Sequence, residues 1–97
     1  MRIGAVYPQI EVGDDPGAAK AFAQATESMG FDHILAFDHV VGGNPETHKL
    51  KGIYPCHDAF LEPFVAYGYM AAVTEKVGFA SGVLILPQRQ TALVAKQ

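Results

Sequence analysis

The sequence predicts a parallel α/β fold. Strand-like and helix-like segments alternate along all 97 residues, and the second strand is apolar at nearly every position. Strand–helix–strand–helix–strand–helix is the rhythm of crossover units on a parallel sheet. Near-continuous apolarity in a strand predicts burial on both faces, as parallel sheets provide.

The first strand is RIGAVYP (2–8), short, apolar-rich and closed by Pro8. EVGDDPG follows as a loop, with Asp14 and Asp15 available as N-caps and Pro16 at the first helical position. The helix from about Pro16 to Met29 is expected to bury Ala18, Phe22, Ala25 and Met29, and Gly30 stands where a left-handed cap belongs. Phe31 to Phe37 makes the second strand. Residues 38–58 form a loop long enough to suggest a functional role.

The second helix is expected from Glu62-Pro63 to about Lys76, burying Val65, Tyr69, Ala72 and Val73. Gly68 lies within it at a cost of about 1 kcal/mol relative to Ala, which suggests close packing on the sheet. VGFASGVLILP (77–87) is the third strand, where Gly82 signals a bulge or close backbone approach. QTALVAKQ begins a third helix. Three strands can make a small open sheet but cannot close an eight-stranded barrel, which takes about 250 residues.

Composition narrows the function. An apolar share of 49% with 18% charged residues describes a globular chain rather than a disordered one. The net charge is −3 and the basic residues are scattered, which disfavours nucleic acid as a partner. No stretch reaches the roughly 18 to 20 apolar residues of a membrane span. MRIGAVYPQ lacks the apolar core of a secretion signal, and the single Cys56 cannot pair internally, so a cytoplasmic setting is expected.

In repeating βα units the carboxyl ends of the strands face the ligand. Tyr7, Pro8 and Gln9 then lie at the first tip, Asp38 and His39 at the second, and Leu84 to Pro87 near the third. His39 has the chemistry of a proton donor or acceptor near neutrality, and Asp38 that of an orienting or ligand-accepting carboxylate. The alternative is structural: Asp38 caps the loop and His39 packs at its edge. His33, near the start of its strand, reads as structural. His48, Cys56 and His57 share the long loop but lack the close paired spacing of zinc sites, so no metal is expected. Nothing marks Cys56 as an activated nucleophile. Phe60, Phe64, Tyr67 and Tyr69 read as helix packing. No phosphate-loop or GxGxxG pattern is present.

Taken in order, MRIGAVYPQ, ESMGFDHILAFDHVV and EPFVAYGYMAAVTEKVGFASGVLILPQRQTALVAKQ resemble the luciferase-like monooxygenase superfamily, and within it the branch using the deazaflavin coenzyme F420. The resemblance covers essentially the whole chain. It implies that residues 1–97 form the N-terminal portion, about a third, of a (β/α)8 TIM barrel. It also implies a hydride-transferring oxidoreductase acting on a small organic substrate, with FMN-dependent monooxygenation as the alternative. Asp38 then matches a coenzyme-contacting acid and His39 a proton donor beside the reacting carbon. Gly82-Val83 matches a strand bulge whose non-proline cis peptide backs the coenzyme ring. A homo-oligomer is expected of the full-length protein.

Two departures qualify the likeness. Val40, Val41, Gly42 and Gly43 stand where some deazaflavin dehydrogenases carry an aromatic residue, which does not support a sugar-phosphate substrate. Gln90-Thr91 replaces Asn-Pro at the start of the third helix, with Thr91 available as N-cap. Outside the family stands the reading of a complete, non-catalytic α/β module. The isolated chain is expected to be marginally stable, to associate through its open sheet edge and to have little activity.

Overall fold

The computed structural model describes residues 1–47, 49 and 54–97. Strand β1 (Gly4–Val6) leads through a single helical turn, α1 (Gln9–Val12), to helix α2 (Pro16–Ser28). Strand β2 (His33–Phe37) and the long loop come next, then helix α3 (Pro63–Ala71) and strand β3 (Gly78–Val83). A 3-10 turn at Leu86–Gln88 precedes helix α4 (Thr91–Lys96). The three strands lie parallel in the order β1-β2-β3. Parallel neighbours need a crossover between them, and α2 and α3 provide it.

Local chemistry explains the boundaries. The Asp15 carboxylate accepts from the Gly17 amide and Pro16 fills the first helical position, so α2 starts as expected. Gly30 follows in the left-handed conformation, φ +82°. Glu62 caps α3 by accepting from Val65, again with proline next. At α4 the cap is Gln90, whose side-chain oxygen accepts from Leu93; the expected cap, Thr91, is the first helical residue instead.

Helices and sheet close on a core of Tyr7, Ala19, Ala23, Ile34, Ala36, Ala66, Met70 and Val77. Burying a side chain the size of Ile34 or Met70 contributes about 1.5–3 kcal/mol. Burial on both faces of β2 is not observed. Ile34 and Ala36 are buried, whereas Phe37 is 38% exposed, and its partner Val83 on β3 and the Leu35 partner Val6 on β1 are both 55% exposed. Only one face of the sheet is covered, so β2 alternates despite its apolar composition.

Both helices turn a different face inward than the expected stripes. In α2 the buried residues are Ala19, Ala23 and Thr26, with Phe22 set edge-on to Tyr7 at 5.3 Å, while Met29 is largely exposed. Alanines surround this helix, so spacing alone does not single out one stripe. In α3 the buried residues are Pro63, Ala66 and Met70, leaving Val65 and Tyr69 outward. The hydroxyl of Tyr67 sets that rotation by binding the backbone of both β2 and β3. Close packing at Gly68 is overturned, because a Cβ there would meet nothing within 4 Å.

The bulge at Gly82 is present. Ala36 pairs with Ser81 but Phe37 pairs with Val83, which leaves Gly82 as the extra residue. A Cβ at Gly82 would lie 2.8 Å from Leu35 and 2.9 Å from Phe37. The space vacated by the glycine is therefore filled by those two side chains. The expected cis bond is absent: every described peptide bond, Gly82-Val83 included, is trans. A trans bulge already resolves the mismatch in strand register here.

The end of α2 is tied to the approach to β3. Glu27 accepts from the amides of Glu75, Lys76 and Val77. These bonds, led by the one from Lys76, hold the Glu27 carboxyl below its usual pKa.

Candidate functional site

Asp38 and His39 leave β2 at its carboxyl end, as expected, but in different roles. Asp38 is buried, its side chain only 1% exposed. Its Oδ2 accepts from Arg89 Nε at 2.8 Å and from the Ile85 amide at 2.9 Å, and its Oδ1 accepts from Arg89 NH2 at 2.6 Å. This is a forked, charge-assisted pair. The hydrogen bonds from Arg89 hold the Asp38 carboxyl below the usual carboxylate range, with Ile85 adding to them against the cost of burial.

Arg89 reaches further. Its NH1 lies 2.8 Å from Glu62 Oε1, off the line of a directional hydrogen bond, so attraction between charges carries the contact. The other Glu62 oxygen caps α3. The guanidinium also sits 5.5 Å from the centre of the Phe64 ring. One side chain thus joins the tip of β2, the turn after β3 and the start of α3.

His39 is half-buried and aromatic side chains surround it. The Phe60 ring centre is 4.8 Å away and that of Tyr54 is 5.9 Å away, and these two stand edge to face with each other. The Nε2 atom is buried with no hydrogen-bond partner. Native structures rarely leave such an atom unpaired, which singles out this nitrogen among the polar groups around the cleft. Asp38, His39 and Arg89 border a cleft of about 450 Å³ with Phe60, Glu62 and Leu93.

The long loop folds back here. Gly42 lies against residues 55–56, and the Cys56 amide donates to the Gly43 carbonyl at 3.0 Å. A Cβ on Gly42 would meet the Cys56 Cα at 2.6 Å, so only glycine permits this approach. Closing the loop base places Tyr54 beside His39.

Other expected positions are distributed differently. Gly82 and Val83 are exposed on β3 and do not line the cleft with His39, although Val83 pairs with Phe37, the residue before Asp38. Gln9 turns inward, accepting from the Phe37 amide, and braces the end of β2. Tyr7 is buried with its hydroxyl unpartnered, and burial raises its pKa. His33 packs over Gly4 at the opposite end of the strand. Cys56 and His57 are exposed, while His48 lies outside the described residues. Among the described residues, no three His, Cys, Asp or Glu side chains gather as metal ligands.

Reading the sequence misses Arg89, Glu62, Tyr54 and Phe60. Phe60 belongs to the site rather than to helix packing, since it precedes α3. A signal for Arg89 exists: a carboxylate at one buried tip requires a counter-ion, and Arg89 is the basic residue just past the neighbouring tip.

No described helix is long and apolar enough to cross a membrane. Comparison with curated proteins and with solved structures gives no match. The profile of the luciferase-like monooxygenases matches residues 2–97, and the parallel βα units are compatible with part of that family's barrel. The chain therefore belongs to the luciferase-like monooxygenase family, which commonly binds flavin or F420 cofactors.

Proposed function

We propose that this chain supplies the first βα units of a (β/α)8 oxidoreductase, with His39 facing the coenzyme. The observation that carries this reading is the buried, unpartnered Nε2 of His39 at a strand tip of a luciferase-like chain. The residues suit a flat, partly apolar ring: Phe60, which borders the cleft, gives an aromatic wall backed by Tyr54, and Nε2 gives one polar partner. When bound, coenzyme F420 supplies hydride exchange with an organic substrate. Val83, beside the Gly82 bulge, offers an exposed apolar surface toward the same end of the sheet. His39 holds or donates a proton at Nε2. Asp38, enclosed by Arg89, serves the coenzyme seat by fixing the strand tip.

FMN-dependent monooxygenation is the second reading, and the family match supports it as well. Fluorescence titration of the full-length protein with F420 and, separately, with FMN decides between them. Tight F420 binding, weakened by His39→Ala and Asp38→Ala, is the expected result. Preference for FMN moves the protein to the monooxygenases, and binding of neither overturns the proposal.

A further inference from the structure

We infer that Arg89 is a positioning residue for His39, acting through Asp38 and Glu62 rather than through contact with substrate. The inference rests on the proposed role of His39.

The geometry argues for it in three steps. Every donor on Arg89 that the structure pairs is turned toward protein: Nε and NH2 to Asp38, NH1 to Glu62. Its side chain is 12% exposed and lies against Phe64, so little of the charge reaches the cleft. Arg89 therefore does not serve as an anion-binding group, although it borders the cleft.

Asp38 directly precedes His39, so fixing its carboxylate fixes the backbone from which the imidazole projects. Three donors fix it: two from Arg89 and one from the Ile85 amide. Neither ring packed beside His39 bonds its Nε2, which leaves the backbone anchor and ring packing to set where that nitrogen points.

Glu62 supplies the third step. It shares its carboxylate between Arg89 and the first turn of α3, so the strand tip and the helix start move together. Lysine at position 89 would keep a charge but lose the planar fork that meets both Asp38 oxygens. A loss of charge alone would spare Arg89→Lys, whereas a loss of aim would not.

The test uses full-length protein as wild type, Arg89→Lys, Arg89→Gln and Glu62→Gln. Histidine ring resonances are recorded by NMR without coenzyme, with His39→Gln identifying the His39 signals. Steady-state kinetics follow with whichever of F420 or FMN binds. The expected result is displaced His39 resonances in Arg89→Lys with native circular dichroism. Its kcat should fall roughly tenfold to a hundredfold while the coenzyme KM stays within about twofold, as misplacement of a reacting group produces.

Unchanged His39 resonances in a folded Arg89→Lys overturn the inference, whatever happens to thermal stability. If both Arg89 variants fail to fold, Glu62→Gln removes one contact alone, and the same NMR readout decides. The resonances need no coenzyme, so failure to bind F420 or FMN would sink the proposed function without touching this result.

Discussion

The Tyr67 hydroxyl donates to the Ala80 carbonyl over 2.6 Å, from a helix into the seam between two strands. The same oxygen accepts from the Ala36 amide at 2.9 Å. It therefore bridges β2 and β3 just before the Gly82 bulge disturbs their register. Its ring packs on Phe79 at 5.2 Å, and burial raises the hydroxyl pKa. A side chain on α3 thus completes the sheet where the ladder is weakest.

Tyr67→Phe keeps the ring and deletes the bridge. The Ala36 amide and the Ala80 carbonyl then lose a partner in a partly buried seam, which costs about 1–3 kcal/mol. Urea unfolding should show a lower midpoint at unchanged slope. An unchanged midpoint would mean that the strands close the gap with a direct bond.

Gly82→Ala tests the bulge from the other side. The new methyl would press on the ends of Leu35 and Phe37, which are flexible side chains rather than backbone. The expected cost is therefore about 1–2 kcal/mol, within the range for overpacking. Leu35→Ala should recover much of it in the double variant. A double variant no better than the sum of its parts would show that backbone conformation, not crowding, requires glycine.

The Asp38–Arg89 pair should couple strongly. Removing one partner from a buried ion pair typically costs about 3–5 kcal/mol, because the other charge is left uncompensated. Arg89 retains Glu62 in Asp38→Asn, which places the expected loss near the low end, at about 3 kcal/mol. Arg89→Met combined with Asp38→Asn should be less damaging than the two losses added together. Strict additivity in that cycle would deny the pairing.

Much of the layout was legible because it rests on local chemistry. Asp15, Pro16, Gly30 and Pro63 punctuate the chain by rules that involve only near neighbours, and the strand tip at Asp38-His39 follows from those boundaries. The helix faces were not legible, since alanine surrounds α2 and the rotation of α3 is fixed by one Tyr67 hydroxyl reaching strands 13 and 31 residues away. The site shows the same division. His39 could be placed from its own segment, whereas Arg89 is found 51 residues from Asp38, joined to it only by the folded sheet.

Glu27 yields the last prediction, because its role depends on ionisation. Its carboxylate accepts three backbone amides ahead of β3, and its pKa is held below the ordinary value. A carboxyl depressed by folding stabilises the native state above its unfolded pKa of about 4.3, and that contribution is lost as pH falls through the folded value. Glu27→Gln should therefore lie below the wild type by a constant amount from about pH 5 to 8, with the gap narrowing below about pH 4. Asp38 is depressed in the same direction but is present in both proteins, so its effect cancels in the difference. Denaturant midpoints across this range make the measurement. A gap still undiminished at about pH 3 would show that the shape of the side chain, and not its charge, holds the approach to β3.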